Sequence, residues 1–274
     1  MNKIKLNLIV SILLILVFFV SCSKSKKEYF ENGNLKAEYQ TTKKGSLEGE
    51  FKLYYKNGNI KSIDLFKNNI KIDSSKFYDS LNSKTIKKIV FWNKNSIENY
   101  YLKNYEKGEI FNEGQISNSL KTGKWKYYKD KKIDKVLQYK NINDTQYLNQ
   151  GWYFDKLGDT IEESGNNYKF NYSGTQKKKL TEVDISITYN PLIAINSDVI
   201  LLFSNQLDEK FSNIDKVTLD TVVFANNKVD FKISIKGNVN FRGLIKEYAN
   251  IVPKDSIVYK ERFVYLDEII SVNN

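Results

Sequence analysis

The side chains that most often carry enzyme chemistry are scarce in this sequence. Its 274 residues include no histidine and a single cysteine, Cys22. Histidine is the commonest general base near neutral pH and the commonest metal ligand. Its absence excludes Ser-His-Asp and Cys-His catalytic groups, and it leaves no set of His and Cys ligands for zinc. We therefore expect no catalytic residue, no metal and no cofactor.

Carboxylates are the remaining candidates for acid–base chemistry. Two Asp or Glu side chains suffice for glycoside hydrolysis, and Glu162 and Glu163 are neighbours in the sequence. Nothing around this pair distinguishes it from the solvated acids of an ordinary loop. The expectation is a protein that is not an enzyme, and a carboxylate-dependent enzyme acting on glycans is the alternative.

The one cysteine follows an apolar segment at the start of the chain. Lys3 and Lys5 precede the run Leu8–Val20, which is apolar apart from Ser11 and covers 13 positions. A helix needs about 20 residues to cross a bilayer. A basic start, a short apolar run and a small residue before the cut are typical of a secretory signal peptide. We predict a signal peptide over residues 1–21, with an uncleaved membrane anchor as the alternative.

The segment Phe19-Val20-Ser21-Cys22 resembles the lipobox of bacterial lipoproteins, in which apolar and small residues precede the modified cysteine. The resemblance implies cleavage between Ser21 and Cys22, a covalent lipid on Cys22, and a lipidated tether over residues 22–27. Two or more acyl chains hold a protein firmly on a membrane, and the lysines of the tether would add attraction to anionic headgroups. It also implies a location in the bacterial cell envelope. By resemblance to known lipoproteins, Ser23 is compatible with sorting to the outer membrane. The basic residues that follow give no signal for surface display, so we expect the periplasmic face.

The chain is basic, with a formal net charge of +11. Such a charge suggests nucleic acids or acidic surfaces as partners. The lysines are spread along the chain, however, and Arg242 and Arg262 are the only arginines, whereas base recognition relies on arginine forks. We expect a membrane and an unidentified protein or glycan as partners, and no nucleic acid.

Two stretches in the first half repeat each other, YFENGNLK (29–36) and YYKNGNIK (54–61). Asn-Gly favours a two-residue type I′ hairpin turn, because both central residues of that turn need a positive φ. We predict such turns at Asn32-Gly33 and at Asn57-Gly58. Two related stretches, FWNKNSIE (91–98) and YYKDKKID (127–134), lack the glycine. The cross-strand pairs predicted from the four stretches are Phe30 with Leu35, Tyr55 with Ile60, Trp92 with Ile97, and Tyr128 with Ile133.

These stretches resemble bacterial MORN-type repeats, in which a Gly-x-Trp-x-x-Tyr-like strand leads through Asn-Gly into a second strand. The resemblance is carried by GQISNSLKTGKWKYYKDKKI (114–133) and EGEFKLYYKNGNIKSI (48–63). It implies an array of β-hairpins over residues 28–163. One hairpin cannot bury its apolar face alone, so stacked hairpins would share layers of aromatic side chains. Such aromatics form a core or hold a ligand, and the candidate binding residues are Trp125, Tyr127 and Trp152.

The second half of the chain differs from the first in composition and in its pattern of apolar residues. Residues 164–179 are polar, with scattered glycine and three final lysines, and this composition is typical of a linker. Beyond it apolar and polar residues alternate, as in EVDISITYN (182–190), where Val183, Ile185 and Ile187 would face one side. Alternation of this kind indicates strands. We predict an all-β protein, in which the hairpin array precedes an antiparallel β-sandwich over residues 180–274.

Three hypotheses for function follow from these features. The leading one is a non-catalytic, membrane-anchored envelope lipoprotein that acts as a binding module. A second is an antitoxin-like or protective regulatory protein, which the resemblance to MORN-type repeats implies. The third is the carboxylate-dependent enzyme acting on glycans.

Overall fold

The computed structural model describes residues 24–93, 96–161, 165, 167–177, 180–194, 196–252 and 257–271. Cys22, Ser21, the predicted signal peptide 1–21 and the Glu162-Glu163 pair lie outside these ranges. The described chain is all-β and antiparallel, as the sequence predicted. It divides between Gly108 and Glu109 into two compact units, so the division falls inside the region predicted as one array. No helix within the described ranges has the length and apolar character needed to span a membrane.

The first unit is a meander of seven strands. They are β1 (Lys24–Tyr29), β2 (Leu35–Thr41), β3 (Leu47–Tyr54), β4 (Ile60–Lys67), β5 (Ile70–Tyr78), β6 (Ile86–Asn93) and β7 (Ser96–Glu106). Each strand pairs antiparallel with the next one. Within the predicted tether 22–27, the residues from Lys24 onward form an exposed strand instead, since β1 pairs with β2 along its length.

Both Asn-Gly turns contain one residue more than predicted. In the first, the Phe30 amide donates to the Asn34 carbonyl at 2.8 Å, and Gly33 has a φ of +80° while the residue before it does not reach positive φ. A three-residue hairpin loop needs the left-handed conformation only at its last position. Gly58 provides it in the second loop, with a φ of +86°.

The longer loops shift two of the four predicted cross-strand pairs by one residue. Leu35 pairs with Tyr29 instead of Phe30, and Ile60 pairs with Tyr54 instead of Tyr55. A third prediction is also wrong, because Trp92 pairs with Tyr100 instead of Ile97. The fourth pair, Tyr128 with Ile133, is confirmed. Two-residue turns with positive φ at both central positions occur elsewhere. They are Asn68-Asn69, Lys107-Gly108, Asn118-Ser119, Asp130-Lys131, Asn143-Asp144 and Asn226-Asn227, and only one of them has glycine second.

The two Asn-Gly-Asn loops make the same contacts one hairpin apart. Asn34 Nδ2 donates to the Lys56 carbonyl at 2.7 Å, and Asn59 Nδ2 donates to the Ser80 carbonyl at 3.0 Å. Each loop thereby satisfies a backbone acceptor in the next loop on the same edge of the sheet. The glycine supplies the turn conformation. Both asparagines of each loop link successive hairpins, because Asn32 Nδ2 also donates to the Lys56 carbonyl at 3.3 Å and Asn57 Nδ2 to the Ser80 carbonyl at 2.8 Å.

The second unit begins with four more strands, each paired antiparallel with the next. They are β8 (Glu109–Ser117), β9 (Leu120–Lys129), β10 (Lys132–Ile142) and β11 (Thr145–Tyr153). The rest of the unit comprises β12 (Tyr168–Lys177), β13 (Leu180–Tyr189), β14 (Asp198–Phe203), a 3₁₀ helix (Ile214–Lys216), β15 (Asp220–Val223), β16 (Lys228–Ile235), β17 (Val239–Ile251) and β18 (Val258–Ile270). Those strands form a three-stranded sheet, β12-β13-β16, and a four-stranded sheet, β15-β14-β17-β18.

The segment predicted as a linker, 164–179, contains strand β12 instead. Its register with β13 runs without a break from Tyr168 opposite Tyr189 to Lys177 opposite Leu180. Polar residues and a glycine gave the segment a loop-like composition. The alternating Tyr168, Phe170 and Tyr172, of which Tyr168 is buried, are nevertheless typical of a strand.

Both C-terminal sheets contribute residues to one buried apolar cluster. Val183, Ile185 and Ile187 of β13 are at most 1% exposed, which confirms the predicted alternation. They belong to the same buried cluster as Leu201 of β14 and Leu266 of β18. Most of the described apolar core of the second unit therefore comes from residues beyond 167.

Strand β11 is fastened to β18 by side chains from the array. Tyr147 Oη donates to the Phe263 carbonyl at 2.7 Å. Asn149 pairs with the Tyr265 backbone in both directions, donating to its carbonyl at 2.9 Å and accepting from its amide at 2.7 Å. These bonds join the first half of β11 to the C-terminal sheet that contains β18.

Candidate functional site

A cleft of about 330 Å³ lies where β11 ends and β12 begins. Its wall carries the partly exposed indole of Trp152. Side chains with amide, hydroxyl and ammonium groups line the same cleft. The polar residues are Thr160, Asn167, Lys169, Thr188 and Asn190.

Two hydrogen bonds hold the walls of the cleft together. Gln150 of β11 accepts from the Tyr168 amide at 3.1 Å, and Asn167 Nδ2 donates to the Gly151 carbonyl at 3.2 Å. The floor consists of the first two paired positions of β12 and β13, with Lys169 opposite Thr188 in the second. The shape of the cleft is thus set by strand pairing and by buried amide contacts, which preorganise it.

Trp152 reaches the cleft because of the register of the last three strands of the array. It pairs with Val136, which in turn pairs with Lys126. Successive residues of a strand point to opposite faces, so Trp152 and Trp125 lie on opposite faces of this sheet. The Lys124 ammonium lies 4.6 Å from the centre of the Trp152 ring, a cation–π contact that orients the indole.

The two tyrosines beneath the cleft direct their hydroxyls into the core. Tyr168 Oη donates to Glu268 at 2.6 Å, and Tyr189 Oη donates to Glu247 at 2.7 Å. Burial raises the pKa of both phenols well above the ordinary value, and the nearby carboxylates act in the same direction. Both tyrosines therefore stay protonated at neutral pH and support the cleft without supplying a general base.

Glu247 supports the loop that carries Asn190. Its side chain is fully buried, and one carboxylate oxygen accepts the backbone amides of Leu192, at 2.7 Å, and of Ile193. The other oxygen accepts the Tyr189 hydroxyl. A buried carboxylate with these donors closes the loop after β13 and fixes the wall of the cleft there.

Of the three predicted binding aromatics, only Trp152 lies in the cleft. Trp125 is 1% exposed and donates from Nε1 to the Gln115 carbonyl at 3.0 Å, which makes it a core residue and removes it from the binding candidates. The Tyr127 hydroxyl contacts the chain's own Lys121 at 2.8 Å and Tyr139 at 3.0 Å. Its polar group is therefore engaged within the protein.

Sequence reasoning missed the partners of Trp152. Asn167, Tyr168 and Lys169 lie in the segment assigned to a linker, and Thr188 and Asn190 lie at the end of a strand chosen only for its apolar face. The signal that could have found them is the alternation of Tyr168, Phe170 and Tyr172, which predicts a strand directly beside residue 167.

The cleft is suited to binding through amide and hydroxyl groups, the Lys169 ammonium and an aromatic face. Within the described ranges, no three or more acidic or cysteine side chains come together as a metal ion would require. Comparisons of the chain with family models, curated proteins and solved structures found no match. The chemistry of the cleft is accordingly read from its own side chains. Pockets with an aromatic wall and a few convergent polar groups are typical ligand sites.

Proposed function

We propose that this protein is a non-catalytic, lipid-anchored lipoprotein of the bacterial cell envelope that binds an envelope component, a protein or a glycan. The observation that carries the binding role is the preorganised cleft around Trp152. The anchor rests on the resemblance of Val20-Ser21-Cys22 to a lipobox, with residues 1–21 removed as a signal peptide and the mature chain on the periplasmic face of the outer membrane.

The proposal extends to the fold. The eleven meander strands are MORN-like repeats, supported by the matching loop contacts at Lys56 and Ser80. The two C-terminal sheets are a β-sandwich, supported by the buried cluster to which both contribute. The cleft lies where the last repeat strand, β11, is followed by the first strand of the sandwich, β12.

The anchor is tested by metabolic labelling with a clickable fatty acid in a bacterial host. We expect the full-length chain to be labelled and to fractionate with membranes. Cys22→Ala should remain unlabelled, because it lacks the thiol that receives the lipid. Cys22→Ser is the matched control, since it differs from the natural residue in one atom and should also remain unlabelled. A labelled Cys22→Ala protein would contradict the anchor.

The binding role is tested by capture from solubilised envelopes. We expect immobilised residues 24–274 to retain an envelope component and Trp152→Ala to lose most of it, because the ring forms the wall of the cleft. Tyr259→Ala removes an aromatic ring that is 53% exposed but does not line the cleft, and it should retain the component. Equal capture by Trp152→Ala and the unchanged protein would contradict a binding role for the cleft.

A further inference from the structure

The polar groups of the cleft distinguish between a protein and a glycan as the partner. Thr160, Asn167, Thr188 and Asn190 line the cleft around one indole. A purely apolar side chain placed there would take these amides and hydroxyls out of water without giving them hydrogen-bond partners. Burying unpaired polar groups is unfavourable. The ligand therefore needs many hydroxyl or amide groups of its own.

The geometry of the amides supports the same conclusion. Asn167 uses Nδ2 to bond the Gly151 carbonyl at 3.2 Å, and its Oδ1 is the acceptor of the same amide, to which a ligand hydroxyl can donate. Asn190 is exposed and follows the buried Tyr189 at the end of β13. A side-chain amide has two N–H donors and one acceptor, and a hydroxyl of the ligand can form a hydrogen bond with either kind of group.

The indole adds the second element of the ligand's shape. An aromatic ring presents an electron-rich face, on which the weakly polarised C–H groups along one face of a saturated, chair-shaped ring pack well. A pyranose has such a face, and its rim carries hydroxyl groups that reach the amides around the ring. One molecule thus matches the apolar platform and the polar rim together.

We propose that the cleft binds a saccharide, with a pyranose ring packed on Trp152 and its hydroxyls hydrogen-bonded to Asn167 and Asn190. This inference rests on the proposed binding function and narrows its partner to a glycan. Lys124 is a positioning residue, because its ammonium orients the indole at 4.6 Å. Thr188 lies on the floor of the cleft. Its hydroxyl donates a hydrogen bond to, or accepts one from, a hydroxyl on the side of the sugar nearest β13.

The test is isothermal titration of residues 24–274 with trisaccharides of β-linked glucose, N-acetylglucosamine, xylose and galactose, and with trigalacturonate. We expect at least one of these probes to bind with a dissociation constant of about 1 mM or tighter. Trp152→Leu fills similar space without a ring and should weaken binding at least tenfold, whereas Trp152→Phe keeps a ring and should retain most of it. Asn190→Ala should weaken binding about threefold to tenfold, the loss of one hydrogen bond.

Two results would overturn the saccharide assignment. One is the absence of binding by every probe at about 10 mM, a concentration at which even weak ligands are detected. The other is unchanged binding by a folded Trp152→Leu protein, with Tyr259→Ala as the reference for a neutral aromatic substitution. Either result would leave the binding function itself open to the capture experiment. If that experiment recovered a protein whose binding needs Trp152, the binding function would stand and only the saccharide assignment would be wrong.

Discussion

Replacing Trp125 with alanine is expected to lower the free energy of unfolding by about 3–5 kcal/mol, the range for removing a large buried aromatic side chain. The indole is 1% exposed, and its Nε1 donates to the Gln115 carbonyl at 3.0 Å. Alanine would leave a cavity and would also leave that carbonyl without its donor. Urea unfolding followed by circular dichroism measures the change.

The neighbouring glycine makes this prediction specific to the packing of the ring. Gly114 lies directly under the Trp125 indole, so the Cβ of an alanine there would overlap the ring atoms. We expect Gly114→Ala alone to cost about 1–3 kcal/mol through overpacking. In the Trp125→Ala background, Gly114→Ala should lower the free energy of unfolding far less, because the ring that the added methyl would overlap is absent.

A double-mutant cycle decides between packing and a general effect on the sheet. Coupling energies between residues in contact are typically about 0.5–3 kcal/mol, while distant substitutions add. Additive costs for Gly114→Ala and Trp125→Ala would contradict the contact between the glycine and the ring. A Trp125→Ala protein as stable as the original would contradict its place in the core.

The strand content was predictable because alternation and turn residues are local signals. Val183, Ile185 and Ile187 are buried as their spacing indicates. The loop length at Asn-Gly was not predictable from the same kind of signal, since glycine in a left-handed conformation fits both a two-residue and a three-residue loop. The contact that accompanies the longer loop, from Asn34 to the Lys56 carbonyl, joins residues that no local pattern connects.

The face occupied by each aromatic residue was unpredictable for a different reason. Counting by twos along a strand assigns faces only while the register is regular. The pairing of β9 with β10 shifts between Ile133 and Lys135, and the pairing of β10 with β11 shifts between Gln138 and Tyr139. Each irregularity changes which side chains share a face. Trp125 and Trp152 therefore look equivalent in the sequence although one is core and the other lines the cleft.

Replacing Glu247 with leucine is expected to lower the free energy of unfolding by about 3–5 kcal/mol, as for breaking other buried charged contacts. The carboxylate accepts the Tyr189 hydroxyl and the amides of Leu192 and Ile193, and all three donors would lose their acceptor in an apolar interior. Arg262 also approaches the Tyr189 hydroxyl, at 3.4 Å. Its charge would then lack the nearby carboxylate.

Glutamine separates the hydrogen bonds from the charge. Glu247→Gln keeps an oxygen that can accept both backbone amides, and the Tyr189 hydroxyl can turn to accept from the new amide. We expect it to cost about 1 kcal/mol, the net value of one hydrogen bond, in the same urea unfolding measurement at pH 7. Leucine and glutamine variants of equal stability would show that the amides of Leu192 and Ile193 do not depend on this acceptor. Since those amides follow Asn190 in the chain, a folded leucine variant should also bind the saccharide more weakly than the glutamine variant does.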